Sequence, residues 1–423
     1  MSAKYTMVEK ILAAHAKEGS KVAPGENIWI KLDYRTARDF GGANVVKAYE
    51  KHYPGEEPVD KDNVFFTFDC VVPANNIPYA TNQQKCRDFA RKHGLRLHDV
   101  DRGIGSHVAM EEGIAVPGVT LVGTDSHLNI LGAVGAFGQG MGDQDIAFAF
   151  RTGQTWFEVP PSYKFTVDGK IGDGTSAKDI VLHILSKIGS SGALGASVEY
   201  EGTAIDEMPL HGRITIASMA TEMGAVVPLF EPNAAVRTYC RKRYKGAEKF
   251  PKVRADSGAK YEKTMEFNVD GLEPLVAKPP SPENVVPAKT LKDVRIDSAF
   301  IGSCTNGTFE DIKAVASICE GRTVAKGVMA KVVPATREVY ARMLKSRILN
   351  DLFEAGWLIT SNGCGGCASG QVGMTGEGEV QISTTNRNFP GKQGAGNTYL
   401  ASPETVAASA LMGRIATVQE VGQ

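Results

Sequence analysis

Val119-Thr120-Leu121-Val122-Gly123-Thr124-Asp125-Ser126-His127 is the stretch that sets the fold class. Its first five residues read as a buried strand, apolar and β-branched without alternation, as in a sheet covered on both faces. The strand ends on Gly123 and delivers polar residues at its carboxyl end. The Gly- and Ala-rich run from Ile130 to Gly142 then reads as a helix packed close to the sheet. The alternation recurs along the chain. Strand-like Val64–Phe68, Leu95–Val100, Tyr163–Asp168, Arg295–Gly302, Ala330–Pro334 and Gly356–Ser361 interleave with helical Met7–His15, Asn82–His93, Ala177–Ile188 and Arg337–Leu344. Ile214–Met219 and Thr221–Pro228 add small-residue-rich segments. The pattern predicts an α/β fold with mostly parallel sheets, whose functional loops gather at the carboxyl ends of strands.

The bulk numbers bound the rest. A chain of 423 residues implies two to four domains with ample core. A net charge of −1 gives no basis for a nucleic-acid or membrane-surface partner. Seven cysteines, an odd number without framework spacing, fit a reducing compartment and a cytoplasmic location. The first ten residues lack the apolar core of a signal peptide, and no run of 18 apolar residues occurs. Leu275 to Pro287 ends with four prolines in nine residues and reads as a linker. With a softer boundary at Pro160-Pro161, it divides the chain into three α/β domains, 1–161, 162–278 and 288–423.

Cys304 lies in Ile301-Gly302-Ser303-Cys304-Thr305-Asn306-Gly307, and Cys364 and Cys367 in Asn362-Gly363-Cys364-Gly365-Gly366-Cys367-Ala368-Ser369-Gly370. Loops of such small residues let backbone approach a bulky inorganic group. Three chemistries compete for these thiols. A structural zinc site takes four ligands, usually in two pairs or with histidine, yet no second C-x-x-C exists and no histidine follows His211. A redox dithiol needs no third cysteine. A cubane iron–sulfur cluster on three thiolates would leave one iron open to act as a Lewis acid.

Polar groups recur at glycine-rich strand ends. Asp125 and His127 leave one side of their loop, His107 closes Gly103-Ile104-Gly105-Ser106-His107, and Glu199 ends Gly195-Ala196-Ser197-Val198-Glu199. A carboxylate beside a histidine fixes its tautomer and makes it a proton carrier. Arg387, in Ser383-Thr384-Thr385-Asn386-Arg387-Asn388-Phe389-Pro390-Gly391-Lys392, suits bidentate carboxylate binding. Taken singly, these are a capping Asp, a buried His, a surface Glu and a surface ion pair.

Taken in order, the motifs resemble the large subunits of the aconitase-like hydro-lyases, nearest to the short 3-isopropylmalate dehydratase type. The matching pieces are Gly103–His107, Gly123–His127, Val198-Glu199-Tyr200, Gly302–Asn306, Cys364–Cys367, Asn386–Lys392 and Ala401-Ser402-Pro403-Glu404-Thr405. The resemblance implies three α/β domains around a central cluster. It implies one [4Fe–4S] cluster on Cys304, Cys364 and Cys367, with one iron open to substrate. It implies reversible dehydration of a hydroxy di- or tricarboxylic acid, as in leucine biosynthesis or in the related dimethylmaleate hydratase and homoaconitase reactions. His107 would pair with Asp125 and His127 with Glu199, with Asp69 a further catalytic acid. Ser126, Asn306, Arg387 and Lys392 would bind substrate. A non-catalytic iron–sulfur or iron-sensing protein is the reading from another class.

Two departures stand out. Relatives usually carry Asp-His where this chain reads Asp69-Cys70, and Arg where it reads Lys392. A thiol is a poorer proton shuttle than an imidazole at neutral pH, and Lys offers a point charge rather than a fork. Both point toward a substrate other than 3-isopropylmalate. Single-chain aconitases continue into a swivel domain bearing a catalytic serine and further arginines. This chain stops at Gln423. The resemblance therefore implies a separate small subunit, in a heterodimer or heterotetramer.

Overall fold

The strand Tyr34–Arg38 runs through the middle of a five-stranded, all-parallel sheet. Its order is Arg96–His98, Val64–Thr67, Tyr34–Arg38, Thr120–Gly123, Phe137–Gly140. This comes from a computed structural model describing residues 4–246, 250–367 and 372–422. Ala368, Ser369 and Gly370 of the C-x-x-C loop lie outside those residues, as do Met1 to Ala3 and Gln423.

A second parallel sheet has four strands, ordered Val227–Phe230, Ser197–Glu201, Ser162–Asp168, Lys263–Asn268. A third has seven and is parallel except at Leu275–Ala277, which runs antiparallel to both its neighbours. The short strands Asn27–Lys31 and Gln154–Glu158 form a separate antiparallel ribbon. Among the described residues no helix is long and apolar enough to cross a membrane.

Local chemistry explains the clearest elements. Met7–His15 opens with a capping box from Thr6 and Glu9, and Ala177–Ile188 with one from Ser176 and Asp179. The helix Ile77–His93 starts earlier than the periodicity suggests, because Asn76 caps it and Pro78 fits the first turn. It ends where Gly94 turns left-handed, at φ 67°.

Two expectations fail. Ile130–Gly142 is not one helix but a 3₁₀ turn, Leu128–Val134, followed by the strand Phe137–Gly140. Its glycines serve close packing: a Cβ on Gly132 would lie 1.5 Å from the Pro228 carbonyl oxygen. The proline-rich run is not a free linker either. Leu275–Ala277 and Val285–Pro287 pair as a hairpin at the edge of the seven-stranded sheet, the one place in a sheet where proline is tolerated.

Candidate active site

The register of the five-stranded sheet builds one end of the site. Arg38 closes the central strand opposite Thr67, and Thr36 pairs with Gly123 on the other side. Asp69 and Asp125 each follow two residues after a flanking strand, so both meet Arg38. Its guanidinium donates to Asp69 Oδ1 from Nε (3.0 Å) and Nη2 (2.7 Å), and to Asp125 Oδ1 from Nη1 (2.7 Å). It also donates from Nη2 to Cys364 Sγ at 2.9 Å. Asp39 supports the loop from below, since its carboxylate accepts the backbone N–H groups of Asp69, Cys70 and Val71.

The two carboxyls part company electrically. Burial, reinforced by Asp39 and Asp125, lifts Asp69 to about 6 despite Arg38. Burial also opposes charge on Asp125, but Arg38, His127 and Arg387 outweigh it and hold that carboxyl below its ordinary range.

Cys304, Cys364 and Cys367 line one cavity of about 320 Å³ with Arg38, Ser126, His127, Arg387 and Lys392. Ser303 takes a positive φ of 68°, rare for a non-glycine residue, at the turn that brings Cys304 in. Ser218 Oγ lies 3.2 Å from Cys304 Sγ, and Asn386 joins both Ser218 and Thr305. Gly365 sits at φ +59°, where a Cβ would come 2.6 Å from the Phe300 ring.

A single ion does not fit these thiols. Tetrahedral zinc would draw its sulfurs to about 3.8 Å from one another, given Zn–S bonds near 2.3 Å. Among the described residues, the metal-sized group within 4.8 Å is Asp69, Cys70 and Cys364, not the three loop cysteines. Those three share the cavity but are grouped less tightly than that set. Burial pushes the Cys304 and Cys367 thiols above their ordinary range.

The opposite wall is another buried ion network. His127 Nε2 stands 3.0 Å from Glu222 Oε1, and Arg387 Nε donates to both Glu222 oxygens at 2.8 and 3.0 Å. Burial works against the charge on Glu222, but His127 and Arg387 hold it below the usual carboxylate range. Arg387 Nη1 and Nη2 make no hydrogen bond to the described residues, although the side chain lines the cavity. Its loop is pinned by Lys178, fully buried, which donates to the carbonyls of Thr384 (3.0 Å) and Thr385 (2.8 Å). Burial pushes the Lys178 ammonium down to about 7.

Comparison with known proteins places the chain. The aconitase family (aconitate hydratase) matches residues 9–293 and 287–413. The chain belongs to the aconitase family. It is 41% identical to the 3-isopropylmalate dehydratase large subunit 1 of Methanopyrus kandleri, over 97% of this chain and 98% of that protein. It is 39% identical to the 3-isopropylmalate dehydratase large subunit of Hydrogenobaculum sp., over 99% and 98%. It is 39% identical to the probable methanogen homoaconitase large subunit of Methanothermobacter thermautotrophicus, again over 99% and 98%. The crystal structure of Thermococcus kodakaraensis aconitase X in its holo-form shares the fold. There the TM-score is 0.51 at 12% identity, covering 85% of this chain and 84% of that one. This aconitase-family chain is a hydro-lyase.

Several residues lie elsewhere than the motifs imply. Glu199 is not the partner of His127. Its strand directs the carboxylate away from the cavity, where it accepts from the Met7 N–H (2.5 Å) and the Tyr261 hydroxyl (2.6 Å). Glu222 takes that place, from a small-residue segment with no motif of its own. His107 makes no hydrogen bond to Asp125, whose carboxylate is taken by Arg38 and by the backbone N–H of His127. Its Nε2 donates instead to the Cys304 carbonyl at 2.9 Å, and burial lowers the pKa of the ring. Asn306 does not line the cavity; its amide donates to Thr215 and Asp311. Asp69 sits behind Arg38 and Cys70, while Cys70, Ser126 and Lys392 line the cavity.

The displaced Glu199 gives a test. Burial lifts its carboxyl from an ordinary 4.5 to about 7. The folded chain then holds this proton more tightly than the unfolded chain, so stability falls as pH rises from about 4.5 to about 7. Glu199→Gln is expected to flatten that part of the stability–pH curve and leave KM unchanged. Denaturant melts across the window, with steady-state kinetics, check both.

Proposed function

We propose that this chain is the large subunit of a [4Fe–4S] hydro-lyase that reversibly dehydrates a hydroxy di- or tricarboxylic acid. The single observation that carries the reading is the shared cavity. It joins three thiols spaced for more than one ion to a histidine–carboxylate–arginine network. Aconitase-family proteins carry such a cluster, and Cys304, Cys364 and Cys367 are the residues we assign to it. Bound there, the cluster supplies a Lewis acid, an iron without a protein thiolate, to assist departure of hydroxide.

The rest falls to side chains. Arg387 holds a substrate carboxylate with its Nη groups, which have no partner among the described residues, and so fixes which hydrogen faces the base. Lys392 adds a second positive charge at the cavity. His127, with Nε2 directed at Glu222, presents Nδ1 on the Ser126 side (3.4 Å to Oγ) to hand a proton to the leaving oxygen. Asp69 and Asp125 hold Arg38 between them. We assign the base that removes the carbon-bound proton to a small subunit, the partner implied by the "large subunit" names of the relatives. It would cover the cavity mouth, where Phe40 is 70% exposed. All seven cysteines are unpaired, which suits a cytoplasmic enzyme.

The names of the relatives favour 3-isopropylmalate in leucine biosynthesis, with homocitrate as the alternative. Cys70 and Lys392 favour a substrate with different demands at the hydroxyl and carboxylate. An anaerobic screen of the cluster-loaded chain with its small subunit, over 3-isopropylmalate, homocitrate and dimethylmalate, decides. Turnover of none of these hydroxy acids would sink the reading. Arg387→Met should raise KM for the preferred acid by roughly 10²-fold, the scale of a lost charge-assisted carboxylate contact of about 3 kcal/mol, with cluster content unchanged.

A further inference from the structure

Arg38 belongs to no motif, yet it touches both Asp69 and Asp125 and one of the three loop thiols. Its side chain is 12% exposed, against 1% for Asp69 and 9% for Asp125. Within this small volume one guanidinium meets two carboxylates and a sulfur. Nη2 is shared between Asp69 Oδ1 at 2.7 Å and Cys364 Sγ at 2.9 Å. Lysine lacks the planar fork, and its three donors radiate from a single nitrogen.

We propose that Arg38 is a positioning residue that couples the cluster to a buried carboxylate pair, clamping Asp69 and Asp125 while donating an N–H···S bond to Cys364. The proposal rests on the cluster reading given above. Two buried carboxylates this close repel one another unless a cation separates them. The same cation stabilises any electron added to the cluster. Reduction potentials of such clusters follow net charge and hydrogen bonds to the sulfurs. Arg38 supplies both to one ligand. Its position is built in by the sheet: the central strand carries the cation, and the flanking strands carry the two anions.

The test compares wild type, Arg38→Lys and Arg38→Gln as full-length, anaerobically loaded chains. The reduction potential is followed by electron paramagnetic resonance at about pH 8.5, above the carboxylate range, with iron and sulfide assayed alongside. At equal cluster content the potential is expected to move negative in Arg38→Gln. In Arg38→Lys it should move less, since the charge stays but the bond to sulfur is lost. Equal potentials in all three overturn the proposal. If Arg38→Gln holds no cluster, Arg38→Lys decides, and a wild-type potential there overturns it. If neither variant holds a cluster, circular dichroism of the cluster-free chains decides. A native spectrum shows that Arg38 is needed to seat the cluster and supports the coupling, whereas loss of the native spectrum makes Arg38 merely structural and overturns it. Wild type without iron and sulfide would instead sink the cluster reading.

Discussion

Cys304→Ser, Cys364→Ser and Cys367→Ser are each expected to abolish the broad visible iron–sulfur absorbance and take turnover to background. The three thiols line one cavity and are grouped less tightly than the ligands of one ion. Serine has no thiolate to offer, and two remaining cysteines do not retain a cubane. The other cysteines serve as controls. Cys86, Cys240 and Cys319 are buried in apolar surroundings, and Cys319 accepts the Trp357 indole N–H. Replacing them with alanine should cost about 1 kcal/mol of packing and leave the spectrum intact. Cys70→Ser should also keep the cluster, because the Cys70 thiol is directed at Asp69 Oδ1, 3.4 Å away. A full spectrum in Cys304→Ser would overturn the assignment.

The second large effect belongs to the His127–Glu222–Arg387 network. Glu222→Gln or His127→Ala should lower turnover by roughly 10²–10⁴-fold, the usual scale for a positioned proton carrier. Glu222 orients the imidazole and the guanidinium together. Its neutral amide would leave the half-buried Arg387, 18% exposed, without its counter-charge. Iron and sulfide content should stay at the wild-type level, which separates a catalytic defect from a loading defect. The charged Glu222 also ties the network to pH. Its depressed carboxyl contributes stability above the ordinary carboxylate range, and that contribution is lost as pH falls through its folded value. Near-normal turnover in Glu222→Gln would return the network to a structural role.

The sequence shows the fold where one local signal suffices. Thr120–Gly123 and Ser162–Asp168 are strands whose own apolar content announces burial. The helices Met7–His15 and Ala177–Ile188 carry capping boxes at their starts. It misleads where tertiary packing decides. Tyr34-Arg35-Thr36-Ala37-Arg38 holds two arginines and one aliphatic residue, so nothing marks it as a central strand. Its burial depends on partners. Arg35 is fully buried and its guanidinium donates to the carbonyls of Leu32 and Val59, while Arg38 is neutralised by two carboxylates from other strands.

The site follows the same division. Cysteines in glycine loops are conspicuous, and so are Asp125 and His127 behind an apolar strand. Glu199 is buried and Glu222 keeps only 8% of its side chain exposed, both near small residues, and composition does not separate them. The direction of each side chain does: Glu199 points from its strand toward Met7 and Tyr261, and Glu222 from a 3₁₀ turn toward His127. The glycines of Ile130–Gly142 likewise suit a helix or a tight turn, and only the Pro228 carbonyl against Gly132 chooses between them.

The most direct measurement is the rate of alkene formation from hydroxy acids by the anaerobic large and small subunits. It is taken before cluster removal, after removal, and after reconstitution with iron and sulfide. Turnover is expected to disappear and return in proportion to cluster content. Turnover that survives complete removal of iron and sulfide, or no turnover of any hydroxy acid at full cluster content, would contradict it.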